Sequence, residues 1–229
     1  MRISKGRVAE VQLRSGEARL LIACPDKLVP AAGQYLLAAE NEAIQATPLF
    51  PAGDWSKGFQ AASPYPESWR PGSELNLYGP LGKGFHLPAD TRRLALIATG
   101  ESNARLMPLA SASESDRYNV TLFSDAPLGE LPPDLEAYPL KDANESLNWA
   151  DFFALDVPLE RLEALADVFG DNSQDLADRR GQVLVHASMP CGGMGDCGVC
   201  AVKVRRSWKL ACRDGPVFDL QAVLKGVSW

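Results

Sequence analysis

The sequence predicts an α+β chain of more than one domain, and three observations carry that expectation. The first 90 residues read as short strands broken by glycine and proline. From Leu94 onward, buried strands alternate with helical segments. Four of the five cysteines then fall within the 22 residues from Cys191 to Cys212. In turn, these patterns point to a small antiparallel barrel or sandwich, a parallel sheet with helices, and a compact metal or redox loop.

Composition narrows the classes. The 229 residues are enough for one large or two modest domains with real cores, and 46% hydrophobic with 23% charged is ordinary for a globular protein. A net charge of −6 lacks the basic footprint of general nucleic-acid binding. No apolar run approaches the roughly 18 residues that a membrane span needs. The N-terminal Met-Arg-Ile-Ser-Lys-Gly-Arg-Val has no continuous apolar core of the kind a signal peptide carries. The expectation is a cytoplasmic protein without membrane attachment. Thiols stay reduced there, so clustered cysteines suggest metal binding or catalysis before disulfides.

The N-terminal elements follow in order. Arg7 to Leu13 and Ala18 to Ala23 alternate loosely around Ser15-Gly16, a hairpin signal. After a break at Pro25, Gly33 to Ala39 is a third strand. Trp69 to Gly82 contains another, opened by the turn Pro71-Gly72. Cys24 ends an apolar strand and reads as a small buried hydrophobe.

Leu94 to Gly100 is a continuous apolar run, as a strand buried on both faces would be. Asn103 to Ala112 reads as a helix, Tyr118 to Phe123 as a second buried strand and Asp151 to Asp156 as a third. Pro158 to Phe169 reads as an amphipathic helix with apolar positions at 159, 162, 165, 166 and 169. Pro158 suits its first turn and Gly170 its end. Asp125 to Asn148, rich in Pro, Asp and Asn, reads as loop. Strands alternating with helices predict a parallel, nucleotide-fold-like sheet.

At the C-terminus, Gln182 to Ala187 is a short strand that feeds Cys191-Gly-Gly-Met-Gly-Asp-Cys197-Gly-Val-Cys200. Ala201 to Arg206 and Trp208 to Arg213 form the arms of a hairpin that carries Cys212. Gly215 to Leu224 reads as a turn and a short helix. The cysteines are separated by five, two and eleven residues. Structural zinc usually takes paired knuckles closed into one tetrahedron. A [2Fe–2S] cluster takes four thiolates in the order Cys-x4-Cys-x2-Cys with a distant fourth. This chain has five where that pattern has four and otherwise follows its order. Gly192, Gly193, Gly195 and Gly198 can turn backbone N–H groups toward bridging sulfides, which zinc does not require. The cluster is the favoured reading; zinc and a redox dithiol stay open.

The same loop, with Cys212-Arg-Asp-Gly-Pro-Val-Phe218, resembles the electron-transfer subunits of class 1B dihydroorotate dehydrogenase, oxidoreductases of pyrimidine biosynthesis in the ferredoxin–NADP reductase superfamily. A second match, Tyr78-Gly-Pro-Leu-Gly-Lys-Gly-Phe85, is similar to that family's Gly-Pro-Leu-Gly-Asn-Gly-Phe. The resemblance implies a multi-domain chain: an N-terminal antiparallel, flavin-binding-like β-barrel over 1–90, a central NAD-binding-like α/β domain with a parallel sheet over 91–180, and a small [2Fe–2S] domain over 181–229. It implies Cys191, Cys197, Cys200 and Cys212 as cluster ligands. It places any FAD against Thr47, Pro48, Gly79, Pro80, Leu81, Gly82, Lys83 and Gly84. It also implies a separate catalytic partner, a dihydroorotate dehydrogenase-like flavoprotein.

The middle of the chain departs from the family pattern. Thr47 and Phe50 stand where the family's flavin segment has arginine and serine, so a charged donor fork for the pyrophosphate is missing. Thr99-Gly100-Glu101-Ser102 replaces a glycine-rich nucleotide loop, and Glu101 would repel a phosphate there. Ala154-Leu155-Asp156 replaces a Cys-Gly-Pro signature. Three such departures suggest degenerate FAD and NAD sites. A non-enzymatic accessory protein that keeps a zinc or cluster site for structure is the alternative. His86 and His186 read as ordinary surface or strand residues, and no Ser/His/Asp or Cys/His set supports nucleophilic catalysis. Lys203, Arg205, Arg206, Lys209 and Arg213 crowd the hairpin. They read either as a solvated face or as a docking patch for an acidic partner.

Overall fold

The computed structural model describes residues 3–14, 17–41, 43–111, 118–128, 131–169 and 173–226. The Ser15-Gly16 turn, Ala112 and Gly170 lie outside these residues.

The N-terminal third forms one antiparallel sheet of seven strands: β1 (Ile3–Arg14), β2 (Glu17–Ala23), β3 (Tyr35–Ala39), β4 (Thr47–Leu49), β5 (Pro51–Trp55), β6 (Gly58–Ala61) and β7 (Glu74–Leu81). Their order is β4-β3-β7-β1-β2-β6-β5. In β7 the side chains of Leu75 and Leu77 are buried while their neighbours are not, the period of two expected of a strand with one face on a core. That core packs Val8, Leu20, Ile22, Leu36, Phe59 and Trp69 together. Three strands, β4 to β6, were not expected. Pro48, Pro51 and Gly53 mask them, and the sheet tolerates these residues because β4 and β5 are its two edges, where a missing N–H breaks no ladder.

The second sheet is built from β8 (Arg93–Ala98), β9 (Asn119–Ser124), β10 (Glu136–Tyr138), β11 (Phe152–Pro158) and β12 (Gly181–His186), all parallel. A hairpin, β13 (Ala201–Val204) with β14 (Ser207–Leu210), stands apart from it. The last strand, β15 (Val217–Asp219), returns to pair antiparallel with β12, giving the order β10-β9-β8-β11-β12-β15. Every residue of β11 is buried, Phe152 to Pro158, because sheet neighbours flank it and side chains cover both faces. The strand 181–186, expected to open the C-terminal domain, thus lies inside the central sheet, and so does β15.

Helices are shorter than expected. Asn103 to Ala112 was expected to be α-helical, but it holds a 3₁₀ turn over Ala104–Leu109 with Pro108 inside. A proline there supplies no N–H for an α-helical bond. The 158–169 segment divides into a 3₁₀ turn, Leu159–Arg161, and an α-helix, Leu165–Phe169, whose buried face includes Leu165 and Phe169. The expected loop from 125 to 148 contains β10, a 3₁₀ turn over Leu140–Glu145 and the start of the helix Ser146–Trp149. The terminal helix Leu220–Leu224 is capped by Asp219, whose Oδ1 accepts from the Ala222 N–H at 2.8 Å. Among the described residues no helix is long and apolar enough to cross a membrane.

Candidate metal centre and the cavity beside it

The chain leaves the C-terminal end of β12 at His186 and enters the cysteine loop through buried Met189. Four glycines of that loop adopt positive φ; at Gly193 (+75°) a Cβ would also lie 3.2 Å from Leu37 Cδ1. Left-handed backbone is cheap for glycine and costs other residues about 1–2 kcal/mol. The result is a turn that points the N–H groups of Gly195, Asp196 and Cys197 at the Cys191 sulfur. Those bonds, with the Cys197 thiol, hold the Cys191 thiol down at about 6, the Asp196 N–H being the largest cause.

The hairpin brings the fourth cysteine back. Ala201 pairs with Leu210, and the Ala211 N–H donates to the Cys200 carbonyl at 2.9 Å, so the eleven-residue spacer is consumed by β13, a turn and β14. Asp214 fixes the exit by accepting from the Leu210 N–H at 2.9 Å. Cys200 and Cys212 are buried, Cys191 is half-buried and Cys197 is exposed. Burial pushes the Cys212 thiol up to about 12, helped by its hydrogen bond to Cys200 and by the charges of Cys200, Cys191 and Cys197. Cys191, Cys197 and Cys200 all lie close enough to Cys212 for their charges to raise its thiol. Among the described residues no three His, Cys, Asp or Glu side chains gather tightly enough to hold one metal ion. Cys24 is remote in sequence and packs on the first sheet's core; burial raises its thiol to about 11.

Two contacts weld this module to the first sheet. The Tyr35 hydroxyl donates to the Cys212 carbonyl at 2.9 Å. The Lys83 N–H donates to the Gly215 carbonyl at 2.7 Å, with Lys83 bridged to Pro216. Gly82 (φ +75°) sits so close that a Cβ would be 3.0 Å from both the Gly215 oxygen and the Tyr35 ring.

A cavity of about 440 Å³ opens beside the loop, lined among others by Thr47, Pro48 and Phe50 from the first sheet and by Arg105, His186 and Pro190. It lies at the C-terminal ends of the parallel strands, where open α/β sheets take ligands. Behind its wall is a buried polar group. Arg105 Nε donates to Asp156 Oδ2 at 2.8 Å, its NH1 donates to the Ser63 carbonyl at 2.7 Å, and its NH2 lies 3.1 Å from His186 Nε2. A guanidinium can only donate, so His186 Nε2 accepts and the ring proton sits on Nδ1. The 3.5 Å approach of the same Nε2 to Asp156 Oδ1 is then a secondary contact. Burial, with the Arg105 charge second, lowers the His186 ring to about 3, so it is neutral near pH 7.

Residues 186–224 match the family model for the iron-sulfur cluster binding domain of dihydroorotate dehydrogenase B. The chain resembles the dihydroorotate dehydrogenase B electron-transfer subunits. It is 24% identical over 162 residues to the dihydroorotate dehydrogenase B (NAD(+)) electron transfer subunit of Clostridium perfringens (strain 13 / Type A), a match covering 65% of this chain and 65% of that protein. The chain thus spans about 65% of that relative's length. Among solved structures, an NADH-dependent reduced ferredoxin-NADP oxidoreductase superposes with a TM-score of 0.73 at 19% identity, over 95% of this chain and 89% of the other. A ferredoxin NADP+ reductase from Neisseria gonorrhoeae with bound FAD and NADP gives 0.53 at 13% identity, over 75% and 92%. These two likenesses establish the ferredoxin-reductase fold.

Set beside the electron-transfer subunits, the residues singled out in the sequence divide into three groups. Cys191, Cys197, Cys200 and Cys212 share one module. Thr47 and Pro48 line the cavity. Gly79, Pro80, Leu81, Gly82, Lys83 and Gly84 are not among its lining residues; Gly82 and Lys83 dock the segment after Cys212. His186, read as an ordinary residue, proves to belong to a buried charged group, and Arg105 had not been singled out. The signal was Asp156 within Phe152-Phe-Ala-Leu-Asp-Val-Pro158: a carboxylate in a wholly apolar strand requires a buried partner.

Proposed function

We propose that the protein is a one-electron carrier that holds a [2Fe–2S] cluster on Cys191, Cys197, Cys200 and Cys212. The observation that carries this reading is the loop itself. Four positive-φ glycines, Gly192, Gly193, Gly195 and Gly198, lie between Cys191 and Cys200, in a segment similar to the iron-sulfur cluster binding domain of dihydroorotate dehydrogenase B. Such backbone turns N–H groups toward bridging sulfides, which zinc does not require. The inward N–H groups at Cys191 favour the same reading, since they offset thiolate charge. When bound, such a cluster accepts and releases single electrons. The residues around it exclude water on the Cys200–Cys212 side and leave Cys197 at the surface.

The proposed units are a flavin-binding-like barrel over 1–90, an NAD-binding-like unit over 91–180 and a cluster domain over 181–229, the last contributing β12 and β15 to the central sheet. The cavity is the proposed flavin position. Its apolar wall suits a flat ring, and Arg105 and His186 give it a polar edge. Thr47 supplies one neutral hydrogen bond where a charged fork would hold a pyrophosphate, so FAD binding is proposed to be weak. Asp156 is already answered by Arg105, and Glu101 and Glu160 bring negative charge to the same end of the sheet, so NAD binding is proposed to be degenerate. The proposed partner is a catalytic flavoprotein of dihydroorotate dehydrogenase type. The basic hairpin with exposed Trp208, together with exposed Met194 of the cysteine loop, is its candidate contact surface. Five cysteines outside any disulfide, four of them proposed ligands, fit a reducing compartment, and the cytoplasm is proposed.

Metal analysis of protein purified without oxygen tests the reading. Two irons and two acid-labile sulfides per chain, with a visible spectrum bleached by dithionite, are expected. Zinc alone would overturn it in favour of a structural site.

A further inference from the structure

Tyr35 is where the first sheet reaches the cysteine module. Its side chain is fully buried, and its hydroxyl bonds to the carbonyl of a residue 177 positions later in the chain. Its ring centroid lies 5.6 Å from that of Phe50, which lines the cavity. A Cβ at Gly193 would come within 3.5 Å of the Tyr35 hydroxyl, so the cysteine loop passes directly over it. The segment around Cys212 is thereby held at three points: the Tyr35 hydroxyl donates to the Cys212 carbonyl, the Ala211 N–H to the Cys200 carbonyl, and the Lys83 N–H to the Gly215 carbonyl.

We infer that Tyr35 is a positioning residue for the iron–sulfur centre, fixing the Cys212 peptide and setting the potential at which the bound cluster exchanges its electron. The inference rests on the reading of the four cysteines as cluster ligands. The Cys212 carbonyl belongs to a proposed ligand residue, so its dipole would lie in the near field of a centre that becomes more negative on reduction. A hydroxyl donating to that oxygen offsets the dipole, and in a water-free environment such an offset is strong. Removing the hydroxyl while keeping the ring leaves the carbonyl uncompensated and disfavours the reduced cluster. The exchange itself moves one electron from an added reductant to the oxidised cluster and transfers no proton or atom.

The test is Tyr35→Phe in the full chain, loaded and handled without oxygen. It is titrated with dithionite in the presence of mediators, and the reduced cluster is read by electron paramagnetic resonance. Iron and sulfide contents equal to the wild type are expected, with altered g values and a midpoint moved to lower potential. The reduced-to-oxidised ratio at the wild-type midpoint should fall by about threefold to tenfold, tenfold being about 59 mV for a one-electron couple. Tyr118→Phe is the control, since it removes another buried hydroxyl, one that donates to the Leu109 carbonyl at 3.0 Å. It should leave the potential unmoved. A Tyr35→Phe chain that loses iron while its thermal unfolding is unchanged also supports the role. An unchanged potential and spectrum in a loaded Tyr35→Phe chain, or an equal shift in Tyr118→Phe, overturns this inference and leaves the cluster reading standing. A wild-type chain that takes up no iron removes both.

Discussion

The Arg105 guanidinium meets the Asp156 carboxylate at 2.8 Å with both side chains almost shut off from water, at exposures of 3% and 0%. A pair buried this deeply stabilises little relative to an apolar replacement, but either partner left alone is costly. Asp156→Ala should therefore destabilise the chain by about 3–5 kcal/mol. For a domain of this size that lowers the melting temperature by roughly 6–20 °C. Arg105→Met combined with Asp156→Leu should recover most of the loss. Thermal unfolding of the three variants measures the outcome; a mild Asp156→Ala would mean that the pair is solvated.

His186 predicts an acid-side dependence of stability. Its folded-state pKa is lowered to about 3 from the ordinary 6.5, with Arg105 and Asp156 facing it and Glu160 at the same cavity. The unfolded chain then binds a proton below 6.5 that the folded chain refuses. Its contribution is fully present above pH 6.5 and is lost as pH falls toward 3, at up to roughly 1.4 kcal/mol per pH unit. Urea midpoints between pH 7 and 4 should fall more steeply for the wild type than for His186→Gln. Parallel slopes would contradict the shift.

Cysteine replacement distinguishes the loop from the remaining thiol. Cys200→Ser and Cys212→Ser should abolish the visible spectrum and the bound iron, whereas Cys24→Ser should retain both. Iron retained in Cys200→Ser would remove that residue from the ligand set.

Loop geometry can be probed at two glycines. Gly193→Ala forces a Cβ to 3.2 Å from Leu37 Cδ1 at a φ of +75°. It should cost about 1–2 kcal/mol and impair iron loading. Gly192 has a φ of +61° with nothing within 4 Å, so Gly192→Asn should be tolerated. Unfolding midpoints and iron content report on both variants.

Thr47 gives a gain-of-function test. Thr47→Arg restores a charged fork at the cavity wall and should tighten FAD binding by about tenfold or more, on the scale of a charge-assisted hydrogen bond. Quenching of flavin fluorescence during titration measures it. Equal affinity in both chains would place the pyrophosphate elsewhere.

What could be read from the chain depended on how local each signal was. The cysteine loop was legible because its chemistry lies in residue type and spacing over 22 positions. The buried strands β8, β9 and β11 were legible because continuous apolar runs have few alternatives. β4 to β6 were not, since Pro48, Pro51 and Gly53 are turn residues until it is known which strands form the edges. The helix expected at Asn103 shrank to a 3₁₀ turn because Pro108 overrides the apolar pattern around it. Asp156 could have been flagged as an anomaly, but nothing near Arg105 or His186 in sequence indicates that they converge on it. The bond from Tyr35 to Cys212 is a product of the fold alone.

The pairing of β15 with β12 has a mechanical consequence. The cysteine module leaves the central sheet at His186 and is back beside Val185 by Pro216, whose carbonyl accepts from the Val185 N–H at 3.0 Å. It is therefore a closed excursion from one sheet and not a bead on a tether. A tethered carrier could shuttle between donor and acceptor by swinging. Here both ends are stapled to neighbouring strands, which holds the module against the sheet beside the cavity. If the proposed cluster is bound, a protein exchanging electrons with it would have to reach it at the Cys197 surface.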